Sequence, residues 1–251
     1  MRISLIGSGN VASVLGRVMT QNHHQVIQVI SRDVDNARLL AEEVGASYSD
    51  FDGKPDETAD IFILAIADQA LEHFFTSYGL GSKMVVHTAG SVSIDVLSKY
   101  ATNYGVLYPL QSLRKEMHII PRIPFLIDAN TTEGLEFIQG FAASISDSVK
   151  HVGDEERLKI HAAAVIVSNF TNHLYAIAED FCNKEDLDFN LLKPLILETA
   201  FRVQNASPSK VQTGPAVRKD ILTMDRHLRI FTAHPKLRTT YLRLTDSIMN
   251  P

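Results

Sequence analysis

Residues 1–16 read MRISLIGSGNVASVLG, and the small-residue stretch GSGNVA at 7–12 decides what the rest of the chain can be. Glycines at such positions recur by chance in many chains, so the flanks carry the argument. Arg2–Ile6 reads as a short buried strand, and Val11, Leu15, Val18 and Met19 fall at helical spacing just after the glycines. Gly7, Gly9 and Ala12 therefore stand between a strand and an amphipathic helix. In that setting a Gly-x-Gly-x-x-(Gly/Ala) turn can hold a dinucleotide. Gly7 makes the tight turn, Gly9 lets the backbone approach a pyrophosphate, and Ala12 lets helix and strand pack closely. The phosphates would rest on unpaired N–H groups at the helix start, roughly residues 10–12. Gly7, Ser8, Gly9, Asn10 and Val11 are the candidate contacts, and the plainer alternative is a strand-to-helix bend.

Composition narrows the function classes. The 251 residues suffice for one large domain or two modest ones. A formal net charge of -5 with no basic run argues against a nucleic-acid surface. The single cysteine, Cys182, rules out an internal disulfide framework, and no Cys-x-x-Cys or His/Cys cluster offers a zinc signature. No apolar run reaches membrane-spanning length and the first residues already read as a strand, so a cytoplasmic protein without a membrane partner is expected.

The pattern changes near residue 150. Before it, apolar runs at 26–30, 61–66, Met84–His87, 106–108 and 125–127 read as strands, separated by helical patterns at 37–44, 69–78, 94–100 and 134–144. Strands joined by helices imply crossovers and a mainly parallel, doubly wound α/β sheet of the Rossmann-like kind. After it the strand signal disappears. Asp154 is a plausible N-cap for a helix over 155–183, followed by helices over 190–205, 223–233 and 235–249, the last with Pro235 in its first turn. The expected organisation is a nucleotide-binding domain at 1–152 and an all-α domain at 153–251.

The end of the second strand speaks to which nucleotide. An acidic residue about 20 residues beyond the glycines would grip a ribose 2′-hydroxyl, as NAD requires. Here Ser31 and Arg32 occupy that place, and a hydroxyl with a guanidinium suits the 2′-phosphate of NADP. Asp33 is the objection, because a strand ending one residue later would bring its carboxylate to the ribose. Further contacts are expected where the third and fourth strands end, from Ala65, Ile66 and Ala67 in FILAIADQAL and from His87, Thr88 and Ala89 in VVHTAGSV. For His87, a strand-end histidine satisfied by backbone and a cofactor contact stand as equal readings.

Taken together, ISLIGSGNVA, VISRD, FILAIAD, VVHTAGS, YPLQSL, HAAAVIVSNF and TGPAVRKD resemble a family of NADP-dependent oxidoreductases. Its members have a Rossmann-like first domain, related to the deazaflavin-dependent NADP reductases, and a helical second domain of unassigned function. More distantly the chain looks like the pyrroline-5-carboxylate reductases, ketopantoate reductases and 3-hydroxyacid dehydrogenases. The resemblance implies the fold and NADP as cofactor, and by analogy a homodimer built through the long helix. It hands over no substrate.

Substrate-side chemistry is sought in the helical half. In HAAAVIVSNFTNHLY, His161 and Ser168 are spaced to share a helical face continued by Asn172 and Tyr175, with Asn169 to one side. This polar stripe lines either a cleft or a hydrogen-bonded seam. The related hydroxyacid dehydrogenases and ketopantoate reductases carry Lys-x-x-x-Asn on this helix, with the Lys as proton donor. If Asn169 is that Asn, Val165 stands in the Lys position, and His161 is the nearest titratable substitute. Arg218 in TGPAVRKD could bind a substrate carboxylate, or with Asp220 could pin its helix. The expected activity is hydride transfer between NADP(H) and a small carbonyl, hydroxy acid or imine. The alternatives are an NADP-binding sensor and a dimeric scaffold.

Overall fold

The computed structural model describes residues 1–71 and 80–251. The glycine turn joins β1 (Arg2–Ile6) to α1 (Asn10–Gln21), and the chain continues through β2 (Gln25–Ile30), α2 (Val34–Val44), β3 (Ser47–Ser49) and β4 (Ile61–Leu64). After α3 (Asp68–Leu71) come β5 (Met84–His87), β6 (Asn103–Pro109), β7 (Phe125–Ala129), α4 (Thr132–Ile145) and β8 (Val149–His151). Among the described residues these strands form one eight-stranded sheet in the order β3-β2-β1-β4-β5-β6-β7-β8. Every pairing is parallel except that of β6 with β7.

The inner strands are largely apolar because helices and loops cover both faces. Ile3, Leu5, Val14, Leu15, Phe125 and Phe141 lie in one buried layer, and Ile6, Ile30, Phe62, Leu64 and Leu97 lie in the other. From β1 the chain runs outward to β2 and β3, then returns to place β4 on β1's other side. The loops after β1 and β4 therefore part company, leaving a crevice at the carboxyl edge of the sheet.

Several boundaries differ from the sequence expectation for local reasons. β4 stops at Leu64 rather than residue 66: its last ladder bond runs from the Ala65 N–H to the carbonyl of Ile6, where β1 itself ends. The Asp33 side chain caps α2, so that helix begins at Val34. Residues Ile94–Leu97 form a single 3-10 turn instead of a longer helix. β3 and β8 are three-residue edge strands with mostly polar sequences, which leave no apolar run to read. Of the helix expected at 69–78, Asp68–Leu71 is described and the remainder lies outside the described residues.

The helical portion comprises α5 (Asp154–Ala164), α6 (Thr171–Lys184), α7 (Lys193–Asn205), α8 (Ile221–Ile230) and α9 (Pro235–Met249). The N-cap of α5 is Gly153 rather than Asp154, which is the first helical residue. The single helix expected over 155–183 is interrupted by a π-helical segment, Val165–Phe170. Its wider turn breaks the 3.6-residue phase on which a shared face for His161, Ser168, Asn172 and Tyr175 was reckoned. The chain forms two compact units, Met1–Ile166 and Val167–Pro251. This division falls later than 152/153 because Arg157 and His161 of α5 pack with residues of the sheet unit.

Candidate functional site

The turn after β1 is fixed by two backbone constraints. Gly7 has φ +115°, and a Cβ there would fall 2.2 Å from the Ala65 carbonyl oxygen. Its N–H donates to the Ile30 carbonyl at 2.7 Å, so the ends of β1, β2 and β4 are drawn together. Gly9 is different: it is the N-cap of α1, and a Cβ there would meet nothing within 4 Å. The first helical bond runs from Ser13 N–H to the Gly9 carbonyl, so the N–H groups of Asn10, Val11 and Ala12 precede it. No side chain caps them and the first turn carries no acidic residue. The positive end of the helix is thus presented beside an open glycine, as a diphosphate requires. The Asn10 side chain turns aside to accept the N–H of Lys115.

At the end of β2, the Ser8 hydroxyl donates to Ser31 Oγ at 2.7 Å, tying the glycine turn to the ribose side of the crevice. The Asp33 carboxylate accepts from Asn36 N and Nδ2. The backbone bond from Asn36 is the main reason its carboxyl sits below the ordinary range, partly opposed by desolvation. It is committed to capping α2. Arg32, in contrast, is exposed and lines a cavity of about 840 Å³ together with Ala67, Asp68, Gln69, Ala70, Ser91 and Val92. A planar cation at that rim fits a 2′-phosphate better than a 2′-hydroxyl.

The ends of β4 and β5 form the other side. Ala65 is buried and Ile66 packs on the apolar layer below. Thr88 donates both its N–H and its hydroxyl to the Leu64 carbonyl. The Ala89 N–H donates to Nδ1 of His87 at 3.2 Å, which assigns the ring hydrogen to Nε2. His87 is fully buried, and Nε2 makes no hydrogen bond of ordinary geometry. Burial, followed by the Arg157 guanidinium, lowers its pKa to about 4, with Asp154, the Ser93 backbone and Asp68 opposing weakly. His87 is therefore a neutral group inside the sheet end.

Above this floor lies a side-chain pair. Tyr108 Oη and His161 Nδ1 are 2.9 Å apart, with the rings edge to face. The pair rests on Gly90: a Cβ there would lie 2.7 Å from His161 Nδ1 and 2.8 Å from Tyr108 Cζ. Burial, helped by the Asp68 carboxylate, pushes the half-buried Tyr108 phenol above its ordinary pKa. Asp68 itself accepts from the Ser91 hydroxyl at 2.5 Å. The phenol and the imidazole thus form one hydrogen-bonded pair packed on the Gly90 loop.

The remaining candidates belong to other elements. Ser168 and Asn169 lie in the π-helical segment and Arg218 in an exposed turn before α8, all in the second unit, whereas His161 belongs to the first. Asp220 is the N-cap of α8, accepting from Thr223 N at 3.0 Å and Oγ1 at 2.8 Å. Those bonds, and to a lesser degree Arg218, hold its carboxyl below the usual range. Sequence reasoning missed Tyr108 and Arg157 as site residues. Tyr108 lies two residues beyond Val106, the register partner of His87, so knowledge of strand order would have placed it at the same edge. Arg157 sits in the charged run DEERLK and carried no signal. Among the described residues no group of three His, Cys, Asp or Glu could hold a metal ion, and no helix is long and apolar enough to cross a membrane.

A mainly parallel sheet presenting uncapped helical N–H groups at its switch point, followed by a helical portion, defines a dinucleotide-binding oxidoreductase architecture. Residues 2–94 match the family described as NADP oxidoreductase, coenzyme F420-dependent, and residues 123–248 match a domain of unknown function, DUF2520. The chain belongs to this family of NADP oxidoreductases with a DUF2520 C-terminal domain. The crystal structure of a proposed NADP oxidoreductase, BF3122, from Bacteroides fragilis is 35% identical, covering 100% of this chain and 98% of that one with a TM-score of 0.90. The fold is also that of a 1-pyrroline-5-carboxylate reductase from Streptococcus pyogenes, at 14% identity and TM-score 0.64, covering 100% of this chain and 99% of that one. An imine reductase from Myxococcus stipitatus in complex with NADP+ has the same identity and TM-score, with coverage of 99% and 92%. No curated protein matches the chain.

The two turn glycines give separable predictions. Gly7→Ala forces a left-handed residue against the Ala65 carbonyl and should destabilise the protein by roughly 2–4 kcal/mol in urea unfolding. Gly9→Val meets open space and should unfold at a temperature within roughly 2 °C of the parent, yet weaken nucleotide binding by at least about tenfold in a fluorescence titration.

His87 predicts a pH dependence. Its folded pKa of about 4 lies below the ordinary 6.5, so the unfolded chain takes up the proton first. Its contribution is complete above pH 6.5 and is lost as pH falls toward 4, amounting to about 3 kcal/mol. Urea unfolding at pH 7 and pH 4.5 should show this loss in the parent and a smaller one in His87→Gln. An equal loss in both proteins would contradict the assignment.

Proposed function

We propose that the protein is an NADPH-dependent reductase of a small carbonyl or imine compound, running in the opposite direction on the corresponding hydroxy acid, alcohol or amine. The observation that carries this reading is the Tyr108–His161 pair packed on Gly90 at the sheet edge. NADPH supplies the hydride when bound. The N–H groups of Asn10 and Val11, beside the open Gly9, hold its pyrophosphate, and Ser31 with Arg32 holds the 2′-phosphate. The Ala89–Gly90 backbone gives a flat ring a side-chain-free surface. Tyr108 and His161 keep a proton for the substrate heteroatom that gains charge as the hydride arrives.

We take the working form to be a homodimer. In the second unit only Cys182, Ala216 and Met224 are buried, and α7 and α9 have no buried residue. Leu191, Leu195, Leu197, Phe201 and Leu222 are exposed within the chain, more apolar surface than a small helical unit keeps in water. A second copy covering these helices would supply the missing core. The buried, unpaired Cys182 is compatible with a reducing cytoplasm.

Calorimetric titration with NADPH and NADH tests the cofactor assignment. NADPH should bind the more tightly, and Arg32→Ala should weaken it by about 1–3 kcal/mol while leaving NADH unaffected. NADPH consumption against small keto acids, aldehydes and cyclic imines tests turnover. Tyr108→Phe and His161→Gln should each lower kcat by roughly 10²–10⁴-fold at unchanged NADPH affinity. Tight NADPH binding with no consumption against any of these classes would argue for a protein that senses the nucleotide without reducing a substrate.

A further inference from the structure

Arg157 heads the largest fully buried side chains and makes an unusual set of contacts. It stands one helical turn before His161 in α5. Its Nη2 donates to the Val92 carbonyl at 2.5 Å and to Asp154 Oδ1 at 2.6 Å. The two oxygens of Asp154 in turn accept from the Ile94 N–H at 3.2 and 3.3 Å. The segment from Val92 to Ile94 is thus strapped to the first turn of α5, directly after the loop whose Gly90 touches His161 and Tyr108. Among the described residues, Nε and Nη1 of Arg157 are buried with no hydrogen-bond partner.

This arrangement is poor value as packing alone. Burying a guanidinium is costly, and two of its nitrogens find no hydrogen-bond partner among the described residues; an apolar side chain of similar length would seat α5 without that penalty. What an apolar residue cannot do is reach a backbone carbonyl and a carboxylate from one planar fork. We propose that Arg157 is a positioning residue: through Val92 and Asp154 it fixes the Ala89–Gly90 loop against His161, and so sets the seat of the nicotinamide ring. The proposal rests on the NADP reading above. It assigns Arg157 no contact with substrate and no part in proton transfer. The adenosine half of the nucleotide is assigned to other residues, Ser31 and Arg32.

That division supplies the test. The full-length protein and its Arg157→Met and Arg157→Lys variants are titrated with NADPH and with 2′,5′-ADP, which carries the 2′-phosphate but no nicotinamide. Arg157→Met should weaken NADPH by about tenfold or more and abolish the enhancement of nicotinamide fluorescence, with 2′,5′-ADP affinity held within about twofold. Arg157→Lys, which keeps the charge but loses the fork, should fall between parent and Met variant. If both ligands weaken together, or neither does, Arg157 serves only the fold and the proposal is overturned. Should the Met variant not fold, Asp154→Ala removes the other arm of the strap and must show the same split between ligands. A parent protein that binds neither ligand would refute the NADP reading itself, an outcome distinct from unsplit variants of a parent that binds both.

Discussion

Everything at the carboxyl edge of the sheet depends on how closely the backbone at Gly7 approaches the Ala65 carbonyl. That contact leaves no room for a side chain and holds the chain in a left-handed turn, bringing the ends of β1 and β4 together at the switch point. Because the turn is so tight, α1 starts immediately after it, with no side-chain cap on its first N–H groups. The Ser8–Ser31 hydrogen bond carries the same constraint across to β2, where Arg32 reaches the cavity rim. One backbone approach therefore fixes the start of α1 relative to the ends of β2 and β4.

The opposite side of the crevice is organised by charge placed under cover. His87 is neutral inside the sheet end, Arg157 is charged and buried, and Asp154 links the latter to the Val92–Ile94 backbone. Burial alone would push the Asp154 carboxyl upward, but hydrogen bonds from Ser93, Arg157 and Ile94 outweigh it and the group sits below its ordinary pKa. The strap is thus in its ionised form throughout the neutral range. Tyr108 and His161 come together from β6 and α5, and a side chain on Gly90 would collide with both.

Much of this was legible in the residues. The strand-glycine-helix order at 1–19 and the alternation up to residue 150 required a mainly parallel sheet, and VISRD motivated the expectation of NADP. The Asp33 objection dissolved only with coordinates, because helix capping commits a carboxylate in a way that a strand boundary guessed from sequence cannot show. His161 could be picked out as a titratable residue on a small-residue helix. Its partner could not, since Tyr108 meets it across a separation fixed by sheet order rather than by chain spacing. Arg157 was hidden for a similar reason: a charged residue among charged residues reads as a solvated face until packing shows it covered. The π-helical segment at Val165–Phe170 likewise follows from no residue pattern and undid the even spacing assumed for Ser168 and Asn169.

The central claim is that the crevice over the ends of β1, β4 and β5 holds NADPH with its nicotinamide beside Tyr108 and His161. A crystal structure of the protein grown with NADPH tests it most directly. The account predicts the pyrophosphate on the N–H groups of Asn10 and Val11, the 2′-phosphate on Arg32, and the nicotinamide against Ala89 and Gly90 within reach of the Tyr108–His161 pair. A nucleotide bound elsewhere, or one whose nicotinamide lies away from that pair, would contradict it.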